Sequence, residues 1–150
     1  MTALGPGLAY SRLLRLRSGQ GAKQPNLLLE CDLCQSWELN EDLAFVFKLR
    51  PGIKWQNIAP VNGRFLNAED VVFSLDRLKT PGWPNAALLS SIGNAGAIDA
   101  LTLEVELNLV DADALLSLAD GHAKIVAREV VAMYGDLKDA PVVGTGPWVW

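Results

Sequence analysis

One seven-residue run constrains the fold more than any other part of the sequence. From Leu43 to Leu49 the chain reads LAFVFKL, with a large apolar side chain at every second position. Such alternation is typical of a β-strand that buries one face. The turn residues Asn40–Asp42 precede this run, and an extended segment, Trp37–Leu39, precedes the turn. The pattern predicts an antiparallel hairpin that ends at Arg50–Gly52, because Pro51 cannot donate a ladder hydrogen bond.

A helix is the second element that the sequence defines well. Asn67 can accept a hydrogen bond from the backbone at a helix start, and Glu69 and Asp70 follow in the first turn, where the helix dipole favours anions. Apolar residues then recur at helical spacing, at Val71, Leu75 and Leu78. The helix is predicted to end before the Pro81–Gly82 pair. The loop before it, Gln56–Leu66, is long for a connection and includes Arg64, which we expect to form a structural salt bridge rather than to contact a ligand.

Short strands and helices are predicted in the rest of the chain. The predictions are a short helix running into a strand over Gly7–Arg17, a strand over Leu101–Leu107, a helix from Asp111 to Leu118, a buried strand over Ala123–Ala127, a helix over Arg128–Tyr134, and a strand that starts after Gly144–Pro147. This order is closer to an α+β fold, with a mixed sheet and short helices, than to a regular parallel alternation.

Composition narrows the classes of partner. A chain of 150 residues with 50% hydrophobic and 20% charged residues fits one folded domain. Its net charge of −4 gives no long-range attraction to phosphate, so we expect no nucleic-acid partner. No run approaches the roughly 20 apolar residues of a membrane span, and the first fifteen residues lack the three parts of a secretory signal.

The residues that could carry chemistry are few. Cys31, Cys34 and the single histidine, His122, provide too few ligands for a structural zinc site, so no metal is expected. The Cys-x-x-Cys spacing leaves open a small dithiol redox protein, although the pair precedes a hairpin rather than a helix. A packing role for Cys34 with an incidental Cys31 is favoured, and a disulfide between them remains open if the protein is exported. His122 is expected in a solvated loop, and no catalytic group or cofactor is predicted.

Five blocks resemble one known family in the correct order. They are Leu33–Trp37, Phe47–Gly52, Ala68–Leu75, the segment AIDALTLEVEL at 97–107, and PVVGTGPW at 141–148. This series is similar to the family 5 extracellular solute-binding proteins, the peptide- and nickel-binding components of bacterial ABC importers, over nearly everything from Leu8 to Trp150. In that family the position of Cys34 is normally alanine.

The resemblance implies a fold and a function. Members have two lobes joined by a hinge, of the class II or cluster C type, so residues 1–150 are expected to be an incomplete first lobe that lacks the second. The implied function is capture of peptides or similar small solutes for an ABC permease, without catalysis and without cofactors. The family implies a periplasmic or lipid-anchored extracellular location. A ligand-free structural or interaction domain is the other alternative.

The segment near the carboxyl terminus is the candidate ligand contact. By resemblance, Gly144, Thr145, Gly146 and Pro147 border the ligand cleft, where glycine permits close approach of the backbone and Thr145 offers a hydroxyl. The spacing fits neither a phosphate loop nor a dinucleotide fingerprint. A strand entry without ligand contact is the competing interpretation. For Trp148 and Trp150, core packing is favoured over contact with a peptide side chain.

Overall fold

The computed structural model describes residues 8–19 and 27–149. Along these residues the strands are β1 (Leu14–Leu16), β2 (Leu29–Cys31), β3 (Cys34–Leu39), β4 (Ala44–Leu49), β5 (Ile92–Ala97) and β6 (Thr102–Leu107). The helices are α1 (Ala68–Leu78), α2 (Ala114–Ala119) and α3 (Arg128–Tyr134), with a 3-10 turn at Ala86–Leu89. The α+β class is therefore confirmed. No described helix has the length and apolar character needed to cross a bilayer.

The central sheet contains the predicted hairpin. Its strand order is β3-β4-β6-β5, and β1 pairs with β2 in a separate ribbon. Trp37 lies opposite Phe47, and Phe47 lies opposite Leu103 on the next strand. Every pairing among the described strands is antiparallel, so the parallel pairs that a mixed sheet implies are not among them. A tight turn connects β3 to β4, whereas the chain passes through α1 and β5 before it returns from β4 to the neighbouring β6.

The core lies between one face of this sheet and α1. Residues alternate along β4 and β6 as predicted, so that Phe45, Phe47, Leu103 and Val105 are buried while Lys48 and Glu106 face outward. α1 contacts β5 and β6 and buries Val71 and Leu75. Burial of such side chains is the main stabilising contribution to a domain of this size.

The ends of α1 and α3 agree with the sequence. Asn67 accepts a hydrogen bond from the Asp70 backbone, while the Asp70 carboxylate accepts one from the Asn67 backbone, which completes a capping box. α3 has the predicted bounds, Arg128–Tyr134. The helix predicted from Asp111 begins later, at Ala114, because the Asp111 side chain accepts a hydrogen bond from the Asp113 backbone and holds a turn there.

Three other predictions differ from the structure, and one strand of the central sheet was not predicted. Residues 123–127 are largely buried but form no strand: the Ile125 backbone donates to Ser11 and the Val126 backbone to the Ser74 hydroxyl, so these hydrogen bonds go to isolated partners rather than to a ladder. Residues 9–13 are not helical, although the strand that follows them is present. Residues 141–149 contain no strand. Strand β5 was not predicted, because its sequence, IGNAGA, lacks alternation and is rich in small residues.

Candidate functional site

The segment Gly144–Trp148 forms a series of bends on the surface. Gly144 is buried, Thr145 and Gly146 are half-buried, and Pro147 is exposed. Trp148 is 62% exposed, so the favoured expectation that it packs in the core is wrong for this residue. Its side chain lies outside the core because no strand forms here to carry it into the sheet. Trp150 lies outside the described residues.

One side of these bends packs directly against the backbone of Leu8–Tyr10. The Gly146 N–H donates to the Ala9 carbonyl at 2.8 Å. A Cβ added at Gly144 would lie 1.9 Å from the Ala9 carbonyl oxygen, and one at Gly146 would lie 2.6 Å from that of Leu8. The close approach that both glycines permit is therefore to the protein's own backbone.

Gln56 holds the other side. Its backbone N–H donates to the Gly144 carbonyl at 2.9 Å, and its side-chain oxygen accepts from the Gly144 N–H at 3.1 Å. The side-chain nitrogen donates to the carbonyl of Gly146 at 3.0 Å and to that of Trp148. One amide side chain thus satisfies backbone groups at three positions of the segment. This role could not be read from local sequence patterns; the only signal is that Gln56 begins the unusually long loop.

A buried tyrosine lies beneath the start of the segment. Tyr10 is buried, as is Val143. Burial raises the pKa of the Tyr10 hydroxyl, and a hydrogen bond with the Val143 backbone offsets part of this shift. The segment is therefore attached to the core at its first residues and free to contact solvent at its last.

Arg64 connects the loop to two helices. Its guanidinium reaches both carboxylate oxygens of Asp70 at 2.7 Å, and it also contacts both oxygens of Glu129, one of them at 2.8 Å. The Trp55 indole N–H adds a hydrogen bond to Asp70 at 3.3 Å. Asp70 is fully buried. This arrangement confirms the predicted structural salt bridge and fixes α1 to α3 beside the loop that carries Gln56.

The charges in this cluster stabilise one another. The hydrogen bond from Arg64 lowers the pKa of Glu129, and the hydrogen bonds to Asp70 and Glu129 raise the pKa of Arg64. Arg128 pairs with Glu69 at 2.7 Å. Both acids of the α1 first turn therefore bind arginine as well as facing the helix dipole, as ion pairs rather than as a general acid and base.

The remaining candidates are accounted for by local structure. Cys31 and Cys34 form a disulfide, the outcome that the sequence left open, so the favoured expectation of an incidental Cys31 is wrong. The predicted packing role of Cys34 is confirmed, because this residue is buried. His122 is exposed and its Nδ1 lies 2.8 Å from the Asp120 carboxylate, as expected for a loop residue. Among the described residues no group of histidine, cysteine and acidic side chains could hold a metal ion.

The chemistry available at the bends is non-covalent. Thr145 supplies a hydroxyl, and Trp148 supplies an exposed indole on a backbone that Gln56 keeps in place. A segment whose backbone is held by hydrogen bonds and that presents an aromatic face suits recognition, because its backbone is already ordered before binding.

Comparison with known proteins gives consistent results. Residues 29–150 match the model of a family described as bacterial extracellular solute-binding proteins, family 5, middle region. The chain is 30% identical to the dipeptide-binding protein of Escherichia coli K12, over 93% of this chain and 29% of that protein. It is also 30% identical to heme-binding protein A of Haemophilus influenzae, over 94% of this chain and 28% of the relative.

A solved structure agrees with these relatives. The solute-binding protein MoaA of A. tumefaciens R10, in complex with mannopinic acid, superposes with a TM-score of 0.77 at 31% identity, over 95% of this chain and 28% of that one. The chain therefore spans less than a third of the length of the proteins that it matches.

Proposed function

The chain belongs to the family 5 bacterial extracellular solute-binding proteins, and from this we propose that it is part of the substrate-binding component of an ABC importer that captures peptides or similar small solutes. The observation that carries the proposal is the family match over residues 29–150, together with the similarity to a dipeptide-binding protein over 93% of the chain. Proteins of this family bind solutes rather than convert them.

In this proposal residues 1–150 are an incomplete first lobe of a two-lobed receptor. The matched proteins are more than three times as long, which leaves room for an opposite lobe in the intact receptor. A solute held between two lobes favours the closed state by its higher affinity for that state, and a permease would then recognise the closed form. One lobe alone lacks half of the contacts, so we expect no high-affinity capture by these residues by themselves.

Gly144–Trp148 is the proposed ligand-facing segment. Supporting this are the exposed indole of Trp148, the half-buried Thr145, and the backbone contacts with Gln56 and Ala9 that keep both in place. The solute is expected to contact the Trp148 face and the Thr145 hydroxyl.

The proposed location is outside the cytoplasmic membrane, in the periplasm or on a lipid anchor. The family description names extracellular proteins, and the Cys31–Cys34 disulfide fits an oxidising compartment. The same disulfide weakens the alternative of a dithiol enzyme, because Cys34 is fully buried and offers no accessible thiol.

A graft into a two-lobed relative tests the proposal. Residues 8–149 replace the aligned segment of the E. coli dipeptide-binding protein, and dipeptide affinity is measured by titration calorimetry. We expect binding, and a loss of at least about tenfold on Trp148→Ala, because a buried aromatic contact contributes on this scale. Tyr134→Ala, an exposed aromatic residue that lies in neither the segment nor the cleft described below, is the matched control.

Two results would contradict the proposal. One is a graft that melts cooperatively, as the unmodified relative does, but binds no dipeptide. The other is a graft in which Trp148→Ala and Tyr134→Ala have equal affinity. The 150-residue chain alone should bind the dipeptide more weakly than the graft does, because it lacks the contacts of the opposite lobe.

A further inference from the structure

The described residues also form a cavity that does not include the bends. It is a cleft of about 560 Å³ bounded by α1, by the loop at 83–85, and by the segments 122–126 and 136–142. None of its lining residues belongs to Gly144–Trp148. Leu78, Val126, Leu137, Ala140 and Val142 give it an apolar floor. The size and the mostly apolar lining fit a small organic molecule.

The charge of the cleft is opposite to that of the chain. Arg77, Lys124 and Lys138 line it, against the single carboxylate of Asp136, although the whole chain carries a net charge of −4. The histidine at the rim, His122, is paired with Asp120 outside the lining. Clustered cations in a cleft with apolar walls attract a small anion, because the walls focus the field.

Arg77 is the group best placed to bind that anion. Its guanidinium carbon lies 4.3 Å from the centre of the Trp83 ring, so the guanidinium stacks on the indole. Burial lowers the pKa of Arg77, and the charges of Asp136 and Tyr10 offset part of this shift. The guanidinium donates no hydrogen bond to any of the described residues, whereas the Ser74 hydroxyl beside it is already bonded to Asp70 and Val126. A stacked guanidinium with unused N–H groups is suited to a bidentate contact with a carboxylate.

We propose that this cleft binds a small organic carboxylate with an apolar body: the carboxylate pairs with Arg77, and the body packs on Trp83 and the apolar floor. Asn85, whose side chain makes no hydrogen bond with the described residues, lines the same wall and is available for a polar substituent. The site is separate from the proposed ligand-facing segment, so it adds a second ligand to the receptor rather than specifying the first.

Nuclear magnetic resonance on the 150-residue chain tests the site without any graft. The probe is 3-phenylpropionate, with its neutral amide and inorganic phosphate as comparisons. We expect 3-phenylpropionate to shift the Trp83 indole resonance and the amides of 136–142 in a saturable manner, and the amide to bind at least about tenfold more weakly, since it lacks the charge that pairs with arginine.

Substitutions of Arg77 test whether its guanidinium binds the carboxylate. Arg77→Gln should weaken 3-phenylpropionate at least about tenfold, and Arg77→Lys, which keeps the charge but not the two-pronged donor, should weaken it to an intermediate extent. Arg15→Gln removes an exposed arginine that pairs with Glu30 elsewhere and should leave affinity unchanged. If Arg77→Gln fails to fold, the comparison of 3-phenylpropionate with its amide on the unsubstituted chain still shows whether the cleft recognises the carboxylate.

The proposal is overturned if the carboxylate gives no saturable shift, if the amide binds equally well, or if phosphate produces the same shifts as the carboxylate. Equal weakening of binding by Arg15→Gln and Arg77→Gln would also overturn it, because binding would then depend on the overall positive charge of the surface and not on Arg77. These outcomes are independent of the graft experiment, which does not use the cleft.

Discussion

Arg64 binds both carboxylate oxygens of Asp70, each at 2.7 Å, and Asp70 is fully buried. A buried carboxylate needs a partner that supplies hydrogen bonds as well as charge, because removing one member leaves the other uncompensated in a medium of low polarity. Since Arg64 also holds Glu129 on α3, this pair joins the long loop and two helices. Four predictions follow from this cluster and from the contacts of the nearby bends.

The first concerns the buried pair. Arg64→Gln is expected to lower the free energy of unfolding by about 3 kcal/mol, because Asp70 is left buried without its cation. Arg15→Gln, which breaks an exposed pair with Glu30, should cost at most about 1 kcal/mol. Urea denaturation of both variants measures the difference. Equal costs would show that the Asp70 pair contributes no more than a surface contact.

The second concerns Gly144. Gly144→Ala places a methyl group 1.9 Å from the Ala9 carbonyl oxygen, so backbone must move, and we expect a loss of about 3 kcal/mol in unfolding free energy. Gly96→Ala is the control, since a Cβ there meets no atom within 4 Å; its effect should stay within about 1 kcal/mol. Thermal and urea unfolding measure both. A tolerated Gly144→Ala would contradict the packing described here.

The third separates the two halves of the Gln56 amide. Gln56→Ala removes the acceptor for the Gly144 N–H, and we expect hydrogen exchange at that amide to accelerate at least about tenfold. Gln56→Glu keeps an oxygen for Gly144 but replaces the donor to Gly146 and Trp148 with a second oxygen. Protection at Gly144 should persist in the glutamate variant, while the exchange of the Gly146 amide, which donates to the Ala9 carbonyl, increases because the carboxylate no longer holds the Gly146 and Trp148 carbonyls. Identical exchange in the two variants would argue against the assigned roles.

The fourth is a pH dependence. Arg64 lowers the pKa of Glu129 below its ordinary 4.5, so the folded state holds this proton less tightly than the unfolded state. The resulting stabilisation is complete above pH 4.5 and is lost as the pH falls through the lower, folded pKa. Glu129→Gln should therefore show a shallower loss of unfolding free energy than the parent chain between neutral and acid pH. Glu41→Gln, an exposed residue of the β3–β4 turn, serves as the control.

Local signals in the sequence predicted part of this structure, and long-range contacts explain the rest. The β3–β4 hairpin, α1 with its Asn67 cap, and α3 were predictable because alternation, capping and helical spacing act over a few residues. β5 was not, because its pairing with β6, rather than its own sequence, makes it a strand.

At the candidate site, too, local features were predictable from the sequence and long-range contacts were not. Its glycines were identified from the sequence, and so was the salt bridge of Arg64. The partners were not: Gln56 reaches Gly146 across 90 positions, and Arg64 reaches Glu129 across 65. No periodicity connects residues so far apart. The exposure of Trp148 was missed for a related reason, since its burial depended on a strand that residues 141–149 do not form.

The hydrogen bonds between Gln56 and the bends also order events during synthesis on the ribosome. The hairpin and α1 need only neighbouring residues, so a nascent chain can build them early. Gln56 and Ala9 must wait for Gly144 and Gly146, which are translated near the end of this stretch. Until then their polar groups remain hydrated, and this contact between distant parts of the chain forms only after residues 144–146 have been translated.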